Sequence, residues 1–156
     1  MEENWSEALA QLERVWQRVA GKETAETPPK RTAGTPDVLA AERDAAQRLM
    51  EAAACGGRQS AALREMAGEC AAAAREIAAE EFLRCGALPE RGSAPRAEGG
   101  LLPRLRAAYL ALARAEAAYA AAGDIAPERA ALYARLAAKK PAQRRRIFAL
   151  VAGLMA

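Results

Sequence analysis

The sequence predicts an all-α protein, a four-helix bundle preceded by a short amphipathic arm, and three observations carry that prediction. Alanine supplies 44 of the 156 residues, and with abundant Leu, Glu and Arg and few β-branched or aromatic residues the chain has a strong intrinsic preference for helix. Glycine and proline cluster at a few separated places and cut the remainder into long uninterrupted segments. The length suits one ordinary domain with a real core and is too short for two.

The first element is residues 1–20, in which Trp5, Leu9, Leu12, Trp16 and Val19 form one helical stripe. It holds both tryptophans of the protein. Residues 21–36, rich in Gly, Thr and Pro, read as a linker, so the first helix is an arm. An apolar stripe on a tether has to be buried, on its own bundle, on a second copy or on a foreign protein. The stripe is therefore the expected interaction feature, with a homodimer as the expected state.

Residues 37–156 form the body. Its helical segments span roughly 36–54, 59–84, 103–122 and 127–154. Gly56-Gly57 and Gly123-Asp124 make short turns, and the Gly/Pro-rich residues 86–100 make a long connection. Short, long, short loops imply hairpin one (37–85), a crossover (86–100) and hairpin two (101–156). The two hairpins also align on each other at an offset of 70 without a gap: Met66-Ala67 falls on Leu136-Ala137, Arg75 on Arg145, Ile77 on Ile147, and Ala45 with Leu49 on Ala115 with Tyr119. The register points to an internal duplication.

Composition excludes several functions. There is no histidine, so the usual near-neutral base and the commonest metal ligand are missing. With 23 basic and 20 acidic residues, the net charge of +3 is too balanced for a nucleic-acid footprint. The one basic cluster, KKPAQRRR at 139–146, spreads over more than one helical face and reads as solvated surface. Cys55, Cys70 and Cys85 are odd in number and lack CxxC spacing, which suggests reduced thiols in a cytosol. An acidic N-terminus and the lack of a long uncharged apolar run give no signal peptide and no membrane span. The expectation is a soluble, cytoplasmic protein.

A duplicated helical hairpin with a long central connection resembles the ferritin-like superfamily, and most closely its short rubrerythrin-related proteins. The resemblance covers residues 36–155 and rests on that organisation, on ERDAAQRL (42–49), REMAGECAAAAREI (64–77) with the trailing EEFLRCGALP, AEAAYAAAG and LYARLAAKK. It implies a pattern similar to E-x-x-A-x-x-x-Y on the first helix of each hairpin and A-x-D-E-x-x-H on the second, with four carboxylates and two histidines around two irons, or manganese in related members. Carboxylates at i and ligands at i+3 share a helix face, and two hard cations need several negative ligands.

The slots that this resemblance assigns fall on Glu42, Cys70, Ala73, Leu112, Lys140 and Gln143. Only Glu42 matches, and Glu69 holds the preceding, usually outward acidic position. One carboxylate beside a lysine ammonium cannot hold two metal ions, so no metal, no cofactor and no di-iron oxidoreductase chemistry are expected. The resulting expectation is a non-enzymatic structural or protein-interaction module. The alternative is a residual metal binder or thiol-redox protein using Glu42, Cys70, Glu69 and Gln143. A helical adaptor unrelated to ferritins would show no two-fold repeat.

Two readings compete at Lys140. It either pairs with Glu42 across the core, with Gln143 as a further partner, or snorkels to solvent just before a kink at Pro141. Cys70 is either a redox thiol with its pKa lowered by Lys140 or a small buried hydrophobe. Cys55 and Cys85, at helix ends, read as incidental, and Tyr109, Tyr119 and Tyr133 as packing.

Overall fold

The computed structural model describes Arg14 and residues 37–86, 92 and 94–156. The amphipathic arm with Trp5, Leu9, Leu12, Trp16 and Val19, the 21–36 linker and most of residues 86–93 lie outside the described residues. The elements of the described residues are all helical: α1 (Val38–Ala53), α2 (Ser60–Cys85), α3 (Leu101–Ile125), a 3₁₀ turn (Pro127–Arg129), α4 (Ala130–Ala137) and α5 (Lys140–Met155). No strand occurs among the described residues.

Local chemistry sets the ends. Asp37 caps α1, its carboxylate accepting from the Ala40 amide at 2.9 Å, which satisfies one of the first-turn N–H groups that lack a helical partner. After α1 the chain turns through Gly56 and Gly57, both at positive φ, 79° and 81°, a region that side chains strongly disfavour. The Ser60 hydroxyl then donates to the Ala53 carbonyl at the end of α1.

Two boundaries differ from the sequence expectation. The turn expected at Gly123-Asp124 lies further on, because α3 continues to Ile125 and ends at Ala126 with φ −120° and ψ 77°. The cause is Pro127, whose ring forces the preceding residue out of helical geometry. The fourth segment, expected as one helix over 127–154, is cut into the 3₁₀ turn, α4 and α5. Pro141 lacks an amide and its ring opposes the carbonyl four residues back at Ala137, where α4 ends. α4 and α5 together make the fourth arm of the bundle.

The contacts define the arrangement. α1 packs closely on α2 and on α3, and α3 packs closely on α4 and α5. Tyr119 meets Glu42 and Arg104 meets the Glu51 carbonyl, so α1 and α3 run antiparallel. Arg146 meets Glu65, Arg135 meets Glu76 and Arg129 meets Glu81, so α4 and α5 run antiparallel to α2. The Glu51 carboxylate accepts from the Ala97 amide at 3.0 Å, and Gln47 donates to the Ala94 carbonyl at 3.2 Å. These bonds lay the connection along α1.

The core has two apolar layers. Val38, Leu39, Ala73, Ala74, Ile77, Tyr119, Ala122, Tyr133 and Leu136 form one cluster. Leu49, Leu63, Met66, Leu105, Leu112, Ile147 and Val151 are buried further along the bundle. Between them lie the buried polar residues Glu42 on α1 and Lys140 and Gln143 on α5.

Candidate functional site

Each arm of the bundle contributes to this middle layer. Glu42 stands one turn into α1, Cys70 near the middle of α2, Tyr119 toward the end of α3, and Lys140 and Gln143 on the first turn of α5. The Pro141 break matters here, because it makes Lys140 the first residue of a new helix. Lys140 is 1% exposed and Glu42 fully buried. The snorkelling alternative does not occur.

The structure brings Glu42, Cys70, Lys140 and Gln143 into one hydrogen-bonded cluster. Lys140 Nζ lies 2.6 Å from Glu42 Oε1 and 2.7 Å from Oε2. It also donates to Gln143 Oε1 at 3.3 Å and reaches Cys70 Sγ at 3.6 Å. An ammonium has three protons and no acceptor capacity, and here it meets three acceptor side chains. Gln143 Nε2 donates to Glu69 Oε2 at 2.8 Å, and Arg146 holds the other Glu69 oxygen at 3.4 Å. The cluster is thereby linked to the surface.

Tyr119 completes it. Its hydroxyl donates to Glu42 Oε1 at 2.5 Å, and its ring packs against Tyr133 with centroids 5.9 Å apart. Tyr133 in turn accepts from the buried Arg129 at 2.9 Å. The sequence reading took Tyr119 as packing and missed this bond. The available signal was its place seven residues after Leu112, on the same helical face, since a buried tyrosine hydroxyl needs a partner.

Ala73 and Leu112, the two other slots, are buried and their side chains carry no ligand atoms. Glu69 is half-buried, turned onto Gln143 rather than fully outward. Of the remaining cysteines, Cys55 is exposed. Tyr109 lies under the Arg144 guanidinium, 5.8 Å from its ring centre. Arg144 and Arg146 from the basic cluster are tied to Glu116 and to Glu65 with Glu69.

The electrostatics define what these groups can do. Burial is the main force on the Cys70 thiol and pushes it up to about 12; Lys140 pulls it down and Glu42 adds to the rise. Burial and then the adjacent Glu42 carboxylate push the Tyr119 phenol up as well. At neutral pH both are protonated, a hydrogen-bond donor and an inert thiol rather than a base and a nucleophile. The donor set does not fit a di-iron centre. One carboxylate is already engaged by an ammonium and a phenol, and no group of three or more His, Cys, Asp or Glu suited to a metal occurs among the described residues.

Fold and site thus define an all-α bundle with a charged, fully hydrogen-bonded layer in its core. Compared with protein-family models, curated proteins and solved structures, the chain matches none.

Proposed function

We propose that the chain is a ferritin-like, rubrerythrin-related bundle in which a lysine–glutamate pair has taken the place of the di-iron centre. It acts in the cytoplasm as a non-enzymatic structural or protein-interaction module, as a homodimer, with residues 5–19 as a contact for a protein partner. The observation that carries this reading is the position of Lys140 Nζ, 2.6 Å from the one carboxylate among the six slots. All six slots, Glu42, Cys70, Ala73, Leu112, Lys140 and Gln143, are buried. An internal cation there satisfies Glu42 where a metal ion otherwise would.

Topology supports the same reading. α2 ends near the level of Arg129 and α3 begins near the level of Glu51, at the other end of α1 from Glu42. The connection between them therefore has the length of the bundle to cover, as a ferritin-like crossover does. No described helix is long and apolar enough to cross a membrane.

The test is metal content of protein purified without chelator, followed by iron and manganese titration with thermal melting. Less than about a tenth of an equivalent per chain and no melting shift are expected, since a ligand that binds only the native state raises stability by mass action. A stoichiometric metal would overturn the reading. Size measurement by light scattering checks the dimer, and a monomer would remove that part.

A further inference from the structure

The four sides of the bundle are not closed alike. α1–α2, α1–α3 and α3 with α4 and α5 are close backbone packings. The remaining side, between α2 and α4/α5, is bridged by long polar side chains along its length. Arg146 meets Glu65 at 3.0 Å, and Gln143 with Arg146 meets Glu69. Arg135 meets Glu76, and Arg129 meets Glu80 and Glu81 at 3.8 and 3.5 Å. Acids stand on α2 and their partners on the 3₁₀ turn, α4 and α5 in one antiparallel ladder.

We propose that this side is an opening seam: α4 and α5 swing away from α2 about the α1–α3 spine, without global unfolding, and admit water to the Glu42–Lys140 layer. Three features carry this. The ladder pairs at Glu65, Glu76, Glu81 and Arg135 are exposed or partly exposed, so each contributes little and salt weakens it. The spine keeps its contacts on opening, including the Tyr119 bond to Glu42. Behind the ladder stands a charge pair that cannot separate in a dry interior. Separation and hydration therefore occur together, which makes the seam a two-position device rather than a gradual loosening.

Cys70 reports the opening, because it is fully buried on α2 directly behind Gln143 and Lys140. The experiment is native-state labelling of Cys70 in the full chain carrying C55S and C85S, with a maleimide, at increasing urea and at two salt concentrations. Seam opening predicts labelling at a lower free energy and with a shallower urea slope than global unfolding measured by circular dichroism. It further predicts labelling about fivefold faster in 1 M than in 0.05 M NaCl, as screening removes the exposed pairs. Labelling that shares the free energy and slope of global unfolding overturns the proposal. So does labelling that salt leaves unchanged or slows. The E42Q/K140M double variant offers a second arm: with neither charge left to hydrate, its Cys70 labelling loses the separate shallow-slope phase.

Discussion

The buried residues of α1 and α3 include Ala45, Ala52, Ala108, Ala111 and Ala115, each 0–1% exposed, while those of α2 and the fourth arm include Cys70, Lys140 and Gln143, with an acid–base ladder outside. Alanine leaves nothing to hold two backbones apart, so that pair closes tightly and is stabilised by dispersion and excluded water. The opposite side keeps room for long side chains, with Ile77, Tyr133 and Leu136 in the core and charged pairs across its outer edge. The comparison teaches that one Ala-rich composition supports both a close backbone packing and a side bridged by charged side chains.

The largest expected effect lies at that pair. Lys140→Met leaves Glu42 buried with only Tyr119 as donor and should cost about 3–5 kcal/mol. Glu42→Gln, which strands the ammonium, should cost a similar amount, while the double variant recovers most of the loss. Urea unfolding of the four proteins measures the coupling. Single variants as stable as the parent would mean that the pair contributes nothing and that the two sides differ in shape alone.

Overpacking the tight side comes next. Ala115→Leu should cost about 1–3 kcal/mol, because the added carbons must displace a close-packed neighbour. The loss should be the same at low and high salt, in contrast to changes on the ladder. A salt-dependent loss would erase the distinction between the sides.

A smaller effect concerns the connection along α1. Burial acts to raise the Glu51 carboxyl, but bonds from Gln47, the Ala97 amide and Arg48 outweigh it and hold the group below its usual 4.5. A lowered native pKa contributes stability that is present above the unfolded value and lost as pH falls below it. Melting temperatures of the parent and Glu51→Gln should therefore differ most at pH 6–7 and converge toward pH 3. A constant gap would assign the Glu51 contribution to shape rather than charge. The smallest effect belongs to Arg135→Ala at the exposed pair with Glu76, a loss of under about 1 kcal/mol that vanishes in 1 M NaCl.

Much of this architecture is legible in the chain. Helical composition and Gly/Pro punctuation outline α1, α2 and α3, because propensity and turn chemistry are local. The boundary at Ala126 was misread because Gly123 looks like a stop, while the residue that acts is Pro127, whose effect falls on its predecessor. The site is legible only through the family resemblance, which assigns positions 42, 70, 73, 112, 140 and 143 to one set of slots; the offset of 70 relates the slots of one half to those of the other.

What the sequence determines by itself is therefore the all-helical class, the main segments and the 70-residue register between its two halves. Only the tertiary structure decided that Lys140 turns inward, that Tyr119 shares the Glu42 carboxylate and that Glu69 ties the core to the surface through Gln143. The reason is physical. Local chemistry selects helix or turn over a few residues, whereas the direction of a long polar side chain depends on whether distant segments supply enough partners to offset the loss of water.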